Sequence, residues 1–197
     1  MNPLHFKEDW NKCFPGVPPV TFLFKTELNS RWFRIHSLPE SKRYAEDAFE
    51  WEMLLKRHND IMADVFSEEE TLYMVAASYE HDEYIELHPF SSVQSLSTFH
   101  MAPSEVINLH SIDPQCWDAG SQLVPMVSII QWEQEKFNPV FMDVANDNAR
   151  VYFFSPSKER VVAPYDGGID LIFENSEQRN DYRNKYSHLL PQNEWGT

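Results

Sequence analysis

In the first third of the chain, the spacing of hydrophobic residues changes from the alternation typical of a strand to the three- and four-residue spacing typical of a helix. Residues 31–36 alternate between polar and apolar side chains, which predicts a short β-strand. Ser37-Leu38-Pro39-Glu40 then has the form of a capping box, with a proline suited to a first helical turn. An apolar stripe with three- and four-residue spacing follows, formed by Tyr44, Ala48, Trp51, Leu55, His58, Met62 and Val65. The pattern predicts a helix from this box to about Phe66, with the histidine in its core face rather than in a ligand site.

Short apolar runs separated by turn residues dominate the remaining sequence. We predict strands over seven of them: residues 71–79, 83–87, 124–132, 140–145, 150–154, 160–165 and 169–173. Asp166-Gly167-Gly168 separates the last two, and we expect both glycines to supply positive φ in a hairpin turn. A final helix should start at Asn175 or Ser176 and stop at Pro191. Residues 1–30, interrupted by prolines, and residues 91–123 are predicted to be mostly irregular.

This order of elements predicts the architecture. A helix, two groups of strands and a terminal helix are typical of an α+β fold. We expect a mainly antiparallel sheet, with the long helix of the N-terminal half and the C-terminal helix packed against one face. Neither a repeat nor a composition break divides the chain, so we predict a single α+β domain over residues 1–197.

Composition indicates a folded protein of the cytoplasm. Hydrophobic residues make up 42% of the chain and aromatic residues 14%, which is ample material for a core. No apolar run approaches the roughly 20 residues that a membrane span needs, and the N-terminus lacks a signal-peptide pattern. Cys13 and Cys116 match no metal or redox spacing, and we interpret them as ordinary thiols. We therefore expect a soluble, cytoplasmic protein that does not interact with membranes.

Charge is distributed very unevenly along the sequence. The 78 residues between Arg57 and Lys136 contain 14 carboxylates and no lysine or arginine, although the whole chain has 16 basic residues. This acidic window carries 14 of the 15 net negative charges. Because nucleic-acid binding depends on clustered basic side chains, we expect no nucleic-acid partner. A one-signed field of this kind either favours association with a basic protein or serves solubility alone.

Candidate catalytic and metal-binding groups form no recognisable motif. His81 and His88 flank an acidic run, but on a regular strand they would point to opposite faces, which disfavours a zinc site. The segment 166–170 is too short for a calcium loop, and no phosphate-binding loop or nucleophile elbow occurs. We therefore predict no catalytic residue, no metal ligand and no cofactor. A hydrolase with an unrecognised site of Asp, Glu and His residues is kept as an alternative.

Two segments of the last third resemble an uncharacterised bacterial domain family. The first is the turn Tyr165-Asp166-Gly167-Gly168-Ile169-Asp170 between two strands. The second is a helix with paired tyrosines, which carries Tyr182, Lys185, Tyr186, Leu189 and Leu190. The strand at residues 31–35 and the helix after it are also similar in type. In the family the turn is usually one residue longer and contains an arginine that this chain lacks, so any role of that arginine is not carried over. Such families have no assigned chemistry, and the resemblance therefore implies a bacterial origin and a shared fold rather than an activity.

We hypothesise that the chain is a bacterial immunity protein, similar to an antitoxin, which binds and blocks a basic toxin domain. A nuclease is the expected target, because its positive cleft for phosphates can be filled by a folded acidic protein. The predicted contact residues lie in the densest acidic stretch: Glu68, Glu69, Glu70, Glu80, Asp82, Glu83, Glu86 and Tyr84. Tyr73 and Tyr79 are either further aromatic anchors or core residues. The alternatives are the hydrolase and a domain whose acidity serves only solubility; the oligomeric state stays open.

Overall fold

The structure, a computed structural model, describes residues 1–80 and 93–191. Its α-helices are α1 (Phe6–Cys13), α2 (Thr21–Glu27), α3 (Ala48–Val65), α4 (Gln94–Ser97), α5 (Leu109–Ile112), α6 (Asn138–Ala145) and α7 (Ser176–Lys185). Its strands are β1 (Trp32–His36), β2 (Thr71–Glu80), β3 (Ala102–Pro103), β4 (Ile107–Asn108), β5 (Gln122–Gln131), β6 (Val151–Ser155), β7 (Arg160–Tyr165) and β8 (Gly168–Ile172). None of the helices in these two ranges is long and apolar enough to cross a membrane. The strand predicted at residues 83–87 lies outside the described residues.

The eight strands form one antiparallel sheet. Its order is β1-β8-β7-β6-β2-β5-β3, and β4 also pairs with β5. A ten-residue ladder joins β2 to β5, from Thr71 opposite Gln131 to Glu80 opposite Gln122. The β6–β7 and β7–β8 hairpins follow the predicted turns. The α+β class with a mainly antiparallel sheet is therefore confirmed.

Residues 140–145 are helical, so the strand predicted there is wrong. β5 and β6 flank β2 and are both antiparallel to it, which means that they run in the same direction. A chain that leaves β5 must cross back before it enters β6, and α6 makes this crossing. Pro139 stands in the first turn of α6, and Val140, Phe141 and Val144 are buried in the main core. This spacing is that of a helix face, and packing outweighs the β-propensity of the residues.

The long helix α3 begins later than predicted. The predicted capping box forms only a short 3-10 turn, in which Glu40 and Ser41 have positive φ of 55° and 59°. The actual cap is Asp47, whose side chain accepts a 2.9 Å hydrogen bond from the Glu50 N–H. In return, the Glu50 carboxylate accepts a 2.7 Å hydrogen bond from the Glu46 N–H. An Asp-x-x-Glu box thus starts the helix. The sequence contains this signal at residues 47–50 as plainly as it contains the Ser-x-x-Glu pattern at residues 37–40.

Helices cover both faces of the sheet. One face packs against α3, α6 and α7 over a core that includes Trp132, Phe153 and Leu171. The other face packs against α1 and α2, where Phe6 and Trp10 are buried with strand residues such as Phe154. The prediction that residues 1–30 are irregular is therefore wrong. The long helix α3 and the C-terminal helix α7 pack on the same face, as predicted, and α1 and α2 cover the other face, where we predicted no helix.

His58 lies on the face of α3 that packs into the hydrophobic core, as predicted. Its side chain is 1% exposed, and its ring packs 5.1 Å from the Phe141 ring centroid. Burial lowers the pKa of His58 to about 4. The imidazole is therefore neutral at pH 7, and its Nδ1 donates to the Leu54 carbonyl oxygen over 2.8 Å.

Candidate functional site

Four exposed glutamates lie in two adjacent turns at one end of the β2–β5 ladder. One turn connects α3 to β2 and the other connects β5 to α6. Two backbone hydrogen bonds join the turns. The Trp132 N–H donates to the Glu70 carbonyl oxygen over 2.9 Å, and the Glu69 N–H donates to the Trp132 carbonyl oxygen over 3.1 Å. We call the four exposed residues the acidic edge: Glu68, Glu69, Glu133 and Glu135.

The acidic edge is solvated and has few internal counter-ions. Glu133 pairs with Lys136, whereas the other three glutamates form no ion pair within residues 1–80 and 93–191. Glu69 and Glu135 have positive φ of 60° and 64°, a conformation that costs a non-glycine residue about 1–2 kcal/mol. Strained backbone of this kind concentrates at functional sites. The two turns therefore present their carboxylates at a conformational cost.

The sequence prediction included Glu68 and Glu69 but not Glu133 or Glu135. All four lie in the acidic window, and the register that places Thr71 opposite Gln131 brings the two pairs together. Both flanking strands were predicted. Pairing them antiparallel would have revealed the cluster, because residues that follow one strand then meet those that precede the other.

Glu70 lies beside the acidic edge, but its carboxylate faces the protein. The side chain is 9% exposed and lies 2.7 Å from the Lys158 ammonium. It also accepts a 2.5 Å hydrogen bond from the Ser155 hydroxyl. Burial alone would raise the pKa of Glu70, but the hydrogen bonds from Lys158 and Ser155 outweigh it and lower the pKa. Glu70 thus ties the β6–β7 turn to the start of β2, a structural use of a residue predicted to contact a partner.

The remaining predicted contact residues are not part of this cluster. Glu80 is the last residue of β2, so the strand separates it from Glu70 by roughly 30 Å. Tyr73 is a core residue whose hydroxyl donates to Asp9 over 2.8 Å. Four other predicted contact residues lie outside the described residues: Asp82, Glu83, Tyr84 and Glu86. The histidine pair considered for zinc lies outside them as well. The densest acidic stretch of the sequence therefore begins at one end of β2 and continues past the other.

A polar pocket of about 540 Å³ lies at the end of the sheet that carries the β7–β8 turn. Tyr165 pairs with Gly168, which leaves a two-residue loop between the strands. The charged and phenolic side chains that line the pocket come from this hairpin and its neighbours: Arg34, Arg43, Arg150, Tyr165, Asp166 and Asp170. The turn that stood out in the sequence thus forms one wall of a pocket.

The glycines of this turn allow close approach rather than positive φ. Neither Gly167 nor Gly168 has a positive φ, so this part of the prediction is wrong although the hairpin is present. A Cβ at Gly168 would lie 2.0 Å from the Ile35 carbonyl oxygen, and a Cβ at Gly167 would lie 2.9 Å from the Tyr165 ring. Any larger residue would therefore collide with β1 or with that ring.

Asp170 is held in the pocket by Arg34, its neighbour across β8 and β1. It accepts two hydrogen bonds from the guanidinium, of 2.7 and 2.9 Å. The guanidinium lies 4.3 Å from the Tyr165 ring centroid. Burial alone would lower the pKa of Arg34, but the hydrogen bonds and charge of Asp170 raise it; burial also raises the pKa of Tyr165 to about 12. These three groups form a fixed floor whose charges offset each other.

Asp166 is held in a similar way by Arg43. The Arg43 guanidinium donates to its carboxylate, and the Tyr44 hydroxyl donates to it over 3.1 Å. The Asp166 side chain is buried, whereas Arg43 is largely exposed. Arg150, the third arginine of the pocket, is half exposed and pairs with Asp147 over 3.0 Å. The pocket therefore has a buried charged floor and two arginines that reach solvent.

This arrangement suits binding better than proton transfer. A general base needs a lone pair that can reach the substrate, and both pocket carboxylates already accept hydrogen bonds from arginines. The raised pKa of Tyr165 keeps its phenol neutral at pH 7. Cys13, the last residue of α1, lies away from the pocket, and burial raises the pKa of its thiol to about 11, which makes it a poor nucleophile at pH 7.

Fold and site together define an α+β protein with helices on both faces of an antiparallel sheet, an acidic edge and a polar pocket. The chain belongs to the family described as a domain of unknown function, DUF3885, whose sequence profile matches residues 20–194. The expectation of an uncharacterised domain family is confirmed, and the match includes the β7–β8 turn and α7. Comparisons with curated proteins and with solved structures give no significant match.

Proposed function

We propose that this protein is a cytoplasmic bacterial immunity protein that binds and blocks a basic toxin domain, with a nuclease as the expected toxin. The observation that carries the proposal is the acidic edge, where four exposed glutamates lie together in adjacent turns. The chain has a net charge of −15. A protein of this charge repels most cellular anions and attracts proteins with basic clefts.

Solvated carboxylates without internal partners act mainly on the rate of association. Complementary charge raises association rate constants from about 10⁵–10⁶ to as much as 10⁸–10⁹ M⁻¹s⁻¹ at low salt. A partner's arginines can engage Glu68, Glu69 and Glu135 without breaking an ion pair within the described residues. Glu70, in contrast, would have to leave Lys158. The proposal therefore places first contact at the acidic edge rather than at Glu70.

Interface size decides how many of the predicted residues one partner can reach. A standard interface covers about 800 Å² of each protein, a disc roughly 30 Å across. The acidic edge and Glu80 are separated by nearly the whole of β2, which is also roughly 30 Å long. One partner therefore reaches both only if it lies along the strand. We place Glu68 and Glu69 in the primary contact surface, and Glu80, the last residue of β2, outside it. The other predicted contact residues follow Glu80 in the sequence and are kept as a second candidate group: Asp82, Glu83, Tyr84 and Glu86.

A charge-matched capture experiment tests the proposal. The bait is the full chain, and one variant replaces the acidic edge by glutamine: Glu68→Gln, Glu69→Gln, Glu133→Gln and Glu135→Gln. A control variant removes the same charge from exposed glutamates elsewhere: Glu27→Gln, Glu52→Gln, Glu174→Gln and Glu177→Gln. Lysate of the host bacterium is applied at low salt and eluted in steps. We expect one basic protein that the wild type and the control retain to high salt and that the acidic-edge variant releases early.

Inhibition of the captured protein is the second part of the test. Its purified catalytic domain should cut nucleic acid, and one equivalent of the wild type should stop the cutting. The acidic-edge variant should inhibit at least about tenfold more weakly at low salt. If both variants lose the partner equally, only net charge matters and the solubility explanation holds. Capture that is insensitive to salt would also contradict the proposal.

A hydrolase is the second candidate, because the polar pocket gathers two carboxylates and a tyrosine. Since both carboxylates already accept hydrogen bonds from arginines, we expect no turnover of phosphate, glycoside or carboxylic ester substrates. Turnover by the wild type that is lost in Asp166→Asn would instead favour the hydrolase. The readout is product release measured with the full chain.

A further inference from the structure

The polar pocket is far less negative than the molecule that contains it. Three arginines and two aspartates line it, and Asp147 beside Arg150 balances the third arginine, whereas the whole chain carries −15. Asp147 pairs with Arg150 and is close enough for its charge to act on Arg43 as well. Arg43 and Arg150 both line the pocket, and both side chains reach solvent. Exposed pairs of this kind contribute little to stability, so an anion can take the place of Asp147 at small cost.

An aromatic wall stands in the same pocket. Phe22, in the first turn of α2, is 42% exposed. It stacks on Trp117 with ring centroids 5.9 Å apart and planes 30° apart, and both residues line the pocket. The outer face of such a stacked, partly exposed pair offers a surface against which a further planar ring can stack.

We propose that the polar pocket binds a nucleoside monophosphate. The phosphate would lie on Arg43 and Arg150, whose planar forks match its oxygens. The base would pack against the wall formed by Phe22 and Trp117. Arg34, held by Asp170 and stacked on the Tyr165 ring, forms the floor. The volume of about 540 Å³ is within the usual range for sites of such ligands.

Titration calorimetry on the full chain tests this proposal with three probes: AMP, adenosine and inorganic phosphate. We expect AMP to bind at least about tenfold more tightly than adenosine or phosphate, because only AMP engages both the arginines and the wall. Arg150→Gln should weaken AMP about tenfold or more. Phe22→Ser should weaken AMP by a similar factor and leave phosphate binding unchanged. Both substituted side chains are exposed, so thermal unfolding should show that the variants remain folded.

Arg183→Gln is the matched control, because it removes one exposed positive charge from α7 at a site that does not line the pocket. Its AMP affinity should equal that of the wild type. An equal loss in Arg183→Gln would reduce the effect to net charge. Absence of AMP binding, or phosphate binding as tight as AMP binding, would overturn the proposal. These results are separable from the proposed immunity function, since none of the variants alters the acidic edge.

Discussion

The acidic edge and the polar pocket use carboxylates in opposite ways. At the acidic edge the glutamates are exposed, and three of the four have no ion pair within the described residues. In the polar pocket Asp166 and Asp170 are buried, and each accepts hydrogen bonds from an arginine. The two regions lie at opposite ends of the sheet, with the β6–β7 turn beside one and the β7–β8 turn beside the other.

This difference shows that net charge alone is a poor guide to a binding surface. Carboxylates paired within the fold cancel locally, whereas solvated ones create the field that a partner meets. Glu70 and Asp64 belong to the first kind, because Lys158 and Lys185 lie 2.7 and 2.6 Å from them. Both occur in the acidic window of the sequence. Removing such paired residues from the count leaves a smaller and better defined candidate surface.

The largest expected effect is on stability, from Asp170→Asn in the polar pocket. The change leaves the mostly buried Arg34 without its counter-charge, and we expect a loss of about 3 kcal/mol in the free energy of unfolding. Glu68→Gln at the acidic edge should change it by less than about 0.5 kcal/mol. Urea unfolding of both variants measures the difference. Equal effects would show that the two regions do not differ in their structural use of carboxylates.

Acid sensitivity should come from buried groups rather than from the acidic edge. The pKa of His58 falls from an ordinary value of 6.5 to about 4 in the folded protein, so between these values the unfolded state binds more protons. Stability from this residue is therefore full above pH 6.5 and lost as the pH falls toward 4. Between pH 7 and pH 5 the loss should be about 2 kcal/mol.

Urea unfolding at pH 5 and pH 7 checks this prediction in two variants. His58→Gln should remove most of the dependence on pH in this range. The glutamine variant of the acidic edge should keep most of it. The opposite pattern would show that the exposed glutamates control acid stability.

Sequence reasoning succeeded where a local signal sufficed. The hairpins between β6 and β8 and the Asn175 cap of α7 follow from turn and capping residues, which act over a few positions. It failed at residues 140–145, where the β-type composition is local but the required crossover is a property of the whole sheet. The predicted start of α3 was also wrong, because capping-box patterns occur both at residues 37–40 and at residues 47–50, and only the second starts the helix. Gly168 of the β7–β8 turn is required by its close approach to Ile35 of β1, more than a hundred positions away.

The candidate site was predictable only in part for the same reason. Glu68 and Glu69 belong to a dense acidic run that is visible in the sequence. Their grouping with Glu133 and Glu135 depends on strand register, and the burial of Glu70 depends on the β6–β7 turn. Charge density along a sequence thus finds the candidate region, and tertiary contacts decide which of its carboxylates face solvent without an ion pair.

Glu70→Gln sharpens the comparison within a single stretch of sequence. The amide cannot pair with Lys158, and its NH₂ group cannot accept the hydrogen bonds that a second carboxylate oxygen accepts. We expect a loss of about 1 kcal/mol in the free energy of unfolding. Binding of a basic partner should change less than in Glu69→Gln. The measurements are urea unfolding and partner affinity for the two variants. A stronger binding defect in Glu70→Gln than in Glu69→Gln would show that the partner contacts Glu70 rather than the exposed glutamates.

The smallest expected effect is a gain in stability at the acidic edge, from Glu69→Gly or Glu135→Gly. Each residue has positive φ, which costs a non-glycine residue about 1–2 kcal/mol. Glycine removes that cost but adds about 0.5–1 kcal/mol of unfolded-state entropy. The net gain should be about 0.5 kcal/mol by urea unfolding, and Glu68→Gly, whose φ is not positive, should instead lose stability. A gain in stability accompanied by weaker partner binding would show that these turns retain glutamate for binding. A loss of stability in both variants would mean that the fold itself needs these side chains, and the acidic edge would then resemble the polar pocket.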